Sequence, residues 1–86
     1  MDRFESLIAA LRKLATDPHL EEYKRLIGAE RAIKDYIHFY QGTDRQSALE
    51  RLRDAARTKV AKRTGESDFW TSVEDIAAQF SKPEQL

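Results

Sequence analysis

Apolar residues recur at intervals of three and four along four successive segments of this chain, the spacing that puts them on one side of a helix. Three glycines and two prolines are its only strong punctuation, too little material for tight hairpins and sheets. The expected fold is therefore all-α, a compact bundle of four helices over about residues 2–16, 18–41, 44–64 and 68–81. Its 86 residues make one helical domain, 1–86, because a second core could not fit. The short connections favour antiparallel neighbours.

Each helix has its own signals. Phe4, Leu7, Ile8, Leu11 and Leu14 form the first stripe. In the second, Asp17 is an N-cap candidate, Pro18 suits the first helical position, and Glu21 and Glu22 favour the positive end of the helix dipole. Leu20, Tyr23 and Ile27 share one side, whereas Ile33, Tyr36, Ile37 and Tyr40 point about 100° away, so the buried face is expected to rotate. Gly28 lies near the change. Either a bend there, or a long central helix whose halves meet different partners, is the expectation, with Gly28 and Ala32 allowing close helix approach. Gly42 is expected to close this helix in the left-handed conformation.

Thr43 with Gln46 fits a capping box for the third helix, whose stripe is Ala48, Leu49, Leu52, Ala56 and Val60. In the fourth, Ser67 or Asp68 is one candidate cap and Thr71 with Glu74 another. Phe69, Val73, Ile76, Ala77 and Phe80 share its face, and Pro83 marks its end.

Charge balances overall at fifteen against fifteen, yet unevenly. Residues 43–65 hold seven basic and three acidic side chains, and residues 66–86 one basic and five acidic. A basic surface for an acidic partner, or a tail that complements the third helix, would each follow. No apolar run approaches the roughly 20 residues of a membrane span, and Asp2 and Glu5 break the pattern of a secretory signal. The expected location is cytoplasmic, in keeping with a small bacterial, phage or plasmid protein.

The inventory for catalysis is thin. There is no cysteine and no glycine-rich phosphate loop, and the histidines are His19 and His38. Asp35 and His38 have a spacing that suits two metal ligands, but the second pair that bundle metal sites use is missing. No enzyme activity, metal, cofactor or small-molecule substrate is expected.

Two binding functions remain. Tyr36, Phe39 and Trp70 are large amphipathic side chains of the kind that dominate protein interfaces, and Phe39 and Trp70 each have a neighbour, Tyr40 and Phe69, that better fits the buried stripe. They point to a non-enzymatic, regulatory or inhibitory protein-binding module, with self-association as a homodimer in the same frame. The alternative is a nucleic-acid-binding regulator in which Arg53, Arg57, Lys59, Lys62 and Arg63 contact phosphates. These cations fall in several groups around the helix, and Glu50 and Asp54 have the spacing to pair with Arg53 and Arg57.

Residues 72–80, SVEDIAAQF, resemble the first helix of bacterial helix-turn-helix motifs, with the pattern V-x-x-I-A-x-x-F. Ser81 with Glu84 would cap a second helix. Only three residues follow Pro83, however, and a recognition helix needs about two turns, so the motif is incomplete in this sequence.

Overall fold

The computed structural model describes residues 2–62 and 65–81. Helices α1 (Arg3–Thr16), α2 (Glu22–Ile37), α3 (Gly42–Ala61) and α4 (Ser67–Ser81) follow in order, with no strand among the described residues. This is the all-α four-helix architecture that the periodicity predicts. Chain neighbours pack as two pairs, α1 on α2 and α3 on α4, and α2 joins the pairs by packing on α4 and more lightly on α3. Leu11, Ile33, Leu49, Leu52, Trp70 and Val73 are the largest fully buried side chains and come from all four helices. The bundle measures 37 × 33 × 22 Å.

α1 opens as an isolated helix would. The Glu5 N–H donates to Asp2 Oδ1 at 3.0 Å, and this bond holds the Asp2 carboxyl below its usual range. Leu7 and Leu11 face the core, with Phe4, Ile8 and Leu14 on its margin.

α2 departs from expectation at both ends. Asp17 does not open α2 but is the C-cap of α1: its Oδ1 accepts the His19 N–H at 2.9 Å, and its carbonyl accepts Arg25 Nη2 at 2.6 Å. That turn holds Pro18, so α2 starts later, at Glu22. The buried face also does not rotate. Ala29, Ile33, Tyr36 and Ile37 form one band of about 100°, which leaves Tyr23 and Ile27 56% and 58% exposed. The helix continues through Gly28, whose hydrogen faces α1: a Cβ there would lie 3.1 Å from Leu14 Cδ2. Close approach to α1 is the packing reason for this glycine.

α2 ends at Ile37, before the aromatic run is complete. Phe39 therefore lies in the link, where the Tyr40 N–H donates to the Ile37 carbonyl at 3.0 Å. Gly42 takes the left-handed conformation, with φ of 57°, but as the first residue of α3. Gln41 occupies the cap position, so Thr43 and Gln46 lie inside the helix and form no capping box. α3 ends at Ala61, short of the predicted residue 64; residues 63 and 64 lie outside the described set.

α4 begins at Ser67, which places Thr71 a full turn inside. The Thr71 hydroxyl donates to the Ser67 carbonyl at 2.9 Å, and Glu74 reaches across to Arg57, so the proposed box at Thr71 does not form. Pro83, Glu84 and the rest of the suggested second helix-turn-helix segment lie outside the described residues.

Candidate protein-binding surface

The sequence places Tyr36, Phe39 and Trp70 in one aromatic surface; in the structure Tyr36 and Phe39 share one groove, and Trp70 lies in the core. Trp70 is only 1% exposed. α4 packs on both α3 and α2, and its buried arc runs through Phe69, Val73 and Ala77 to Trp70, with Ile76 and Phe80 only partly buried. The indole N–H donates to Glu66 Oε1 at 3.2 Å, and Lys59 Nζ sits 5.7 Å from the ring centroid. Trp70 is a core residue under a polar lid, which corrects the expectation that it is exposed.

Tyr36 is also buried, at 5% exposure, against the N-terminal half of α3. Its hydroxyl points to the Ala48 carbonyl at 3.4 Å, a long hydrogen bond. Burial, assisted by the neighbouring Tyr40, pushes the phenol pKa up to about 12. Its ring lies 6.3 Å from Phe4 and 5.4 Å from Tyr40, centroid to centroid. One edge of Tyr36 nevertheless lines a surface groove.

Phe39 behaves as predicted, with 59% of its surface exposed. It stands at the rim of an open groove between α1 and α2, lined by Leu7, Ala10, Ala32 and the edge of Tyr36, with Ser6 and Asp35 as its polar members. Small side chains create this groove: Ala10 and Ala32 leave a trough that larger residues would fill. Arg3 closes one end, its guanidinium carbon 3.9 Å from the Phe39 ring centroid. His38 meets the other face of the same link, 5.7 Å from Phe39 edge to face, and stays exposed.

Sequence reasoning missed the arginines around these rings. Arg51 lies 4.0 Å over the Phe4 ring, and Arg45 Nε donates to the Tyr40 carbonyl at 3.1 Å. Asp2, Arg3, Tyr40 and Arg51 line a second cleft that continues from the groove through Arg3. The ends of α1 and α2 and the first turns of α3 converge here. Helical spacing within one element could not show this, because each cation lies on a different element from its ring or carbonyl partner.

The basic face of α3 is largely engaged with the protein itself. Arg57 Nε donates to Glu74 Oε1 of α4 at 3.1 Å, rather than pairing with Asp54. Lys59 covers Trp70, and Arg53 Nε is buried without a hydrogen-bond partner. Lys62 is exposed at the helix end, and Arg63 lies outside the described residues.

Among the described residues no group of three or more His, Asp or Glu side chains is placed to hold a metal ion. None of their helices is long and apolar enough to cross a membrane. No protein family, curated protein sequence or solved structure matches this chain.

Proposed function

We propose that this protein is a non-enzymatic protein-binding module of a regulatory or inhibitory kind, acting through the groove between α1 and α2 beside Phe39. One observation carries the reading: a phenylalanine 59% exposed at the rim of an apolar trough. A ring in that position gains little from folding, yet gains from burial against a partner side chain that enters the trough. A helix laid along α1 and α2 would present such a side chain at each turn.

The nucleic-acid alternative has weaker support. Phosphate contact needs cations free to replace counterions, and Arg57 already pairs with Glu74. A second copy of the chain is the other candidate occupant of the groove.

The test is selection from a displayed library of random peptides, followed by retesting of the enriched peptides on two variants. Phe39→Glu is expected to abolish their binding, and Arg57→Glu to leave it within twofold. Enriched peptides indifferent to Phe39→Glu would overturn the reading. So would salt-sensitive co-sedimentation with duplex DNA that Arg57→Glu abolishes. Sedimentation of the protein alone, compared with Phe39→Glu, reports self-association through the same groove.

A further inference from the structure

Arginine normally finds a carboxylate when one is within reach, but Arg3 and Arg51 rest on aromatic rings. Their guanidinium carbons lie 3.9 and 4.0 Å from the centroids of Phe39 and Phe4, close enough for the cation to sit against the ring face. Neither takes part in an ion pair among the described residues, where Lys34 pairs with Glu30 and Arg57 with Glu74. Both side chains are exposed. A guanidinium held by its face keeps its N–H donors at the edge, oriented for a planar acceptor.

Three features make this more than two surface cations. Arg3 and Arg51 line the same cleft, together with Tyr40. Arg45, fixed to the Tyr40 carbonyl, adds a third positive charge beside it. Of the carboxylates, Asp2 lies in the cleft, where its Oδ1 already accepts the N-cap hydrogen bond of α1, and Asp35 lines the groove on its α2 side. The ring contacts and cap bond fix these groups before any ligand arrives, which reduces the ordering cost of binding.

We infer that the occupant of the groove is an acidic amphipathic segment of a protein, whose apolar residue enters beside Phe39 and whose carboxylates bind Arg3 and Arg51. This rests on the proposed protein-binding role and specifies the partner's chemistry. Carboxylates suit the cluster better than a nucleic-acid backbone. The positive region spans three arginines and opens directly into an apolar trough, whereas a phosphate backbone calls for an extended row of cations.

The experiment uses two displayed libraries of helical peptides, each with a randomised apolar stripe, one flanked by glutamate and the other by lysine. Binding of enriched peptides is read by fluorescence anisotropy at about 50 and 300 mM salt. Glutamate-flanked peptides are expected to bind at least tenfold more tightly than lysine-flanked ones, and to weaken several-fold at the higher salt. Arg51→Gln and Arg3→Gln should each lower their affinity about tenfold. Arg51→Lys, which keeps the charge but loses the planar fork, should recover only part of that loss.

Equal binding of the two libraries, or a preference for lysine, would overturn the acidic partner while leaving the Phe39 groove as a binding site. If neither library yields a binder sensitive to Phe39→Glu, both readings fall. Duplex DNA that competes for the site and depends on Arg3 and Arg51 would reassign it to nucleic acid. Circular dichroism of each variant separates a lost contact from a lost fold.

Discussion

Trp70 and Phe39 are each an aromatic ring with a cation beside it, and the two regions use that pair in opposite ways. At Trp70 the ring is buried between α3 and α4, and Lys59 lies over a side chain whose N–H already has a partner in Glu66. At Phe39 the ring is outside the core, and it is the ring that supports Arg3. The cation serves the core in the first case; in the second the ring serves the cation. An aromatic next to a basic residue in a sequence therefore does not indicate which role it has. What decides is whether the ring sits within a packed helix: Trp70 is on α4, which packs on both α3 and α2, whereas Phe39 lies just past the end of α2.

The contrast can be broken most directly at Trp70. Trp70→Ala removes the largest fully buried side chain, so a loss of about 3–5 kcal/mol in unfolding free energy is expected from lost burial and the cavity left behind. Urea denaturation measures it. A loss below about 1 kcal/mol would mean that the indole is not a core residue and that the two regions are alike.

Tyr36 lies between the two regimes, buried against α3 but touching the groove. Its raised pKa fixes the sign of a pH effect. The folded state favours the neutral phenol, so its contribution is fully present below about pH 10, the unfolded value, and fades as pH rises through about 12. A difference of about two units corresponds to about 2–3 kcal/mol over that window. Tyr36→Phe has no phenol to ionise. Alkaline titration of stability by circular dichroism should show the wild type losing this increment between pH 10 and 12 and the variant retaining it.

These expectations show what was legible in the sequence. Four stripes at three- and four-residue spacing were enough for the fold, because helix periodicity is local and each stripe needs only a partner. The exposure of Phe39 could also be anticipated, since Tyr40 packs against the core just past the end of α2. Trp70 could not. Its burial depends on α4 touching two helices together, a property of the assembly. Tyr23 and Ile27 misled for the converse reason: they share a side, but no helix lies opposite them. The caps failed where one side chain had two uses. Asp17 turns the chain after α1 rather than opening α2, and Glu74 pairs with Arg57 rather than capping α4. The first signal lost to a local turn onto the His19 N–H, the second to a contact between helices.

The Arg57–Glu74 pair tests the core side of the comparison more finely. It joins α3 to α4 at 3.1 Å, but the arginine is 58% exposed, so solvent screens most of the attraction. A double-mutant cycle with Arg57→Ala and Glu74→Ala should give a coupling of about 0.2–1 kcal/mol, which diminishes as salt rises. A larger, salt-insensitive coupling would make the pair a structural lock between the helices.

The smallest effect on stability should come from the ring that matters most to the proposed function. Phe39→Ala removes a side chain that leaves 59% of its surface in water and packs chiefly against Arg3, so unfolding free energy should change by no more than about 0.5 kcal/mol. The same substitution removes the platform under Arg3. The freed guanidinium then samples more rotamers, and binding an acidic peptide must order it again. Peptide affinity should therefore fall by more than the lost apolar contact alone, and Phe39→Leu, which restores apolar area but no ring face, should recover only part of it. Full recovery with leucine would mean that the arginine needs no aromatic support, and the distinction between the two cation–ring pairs would reduce to burial.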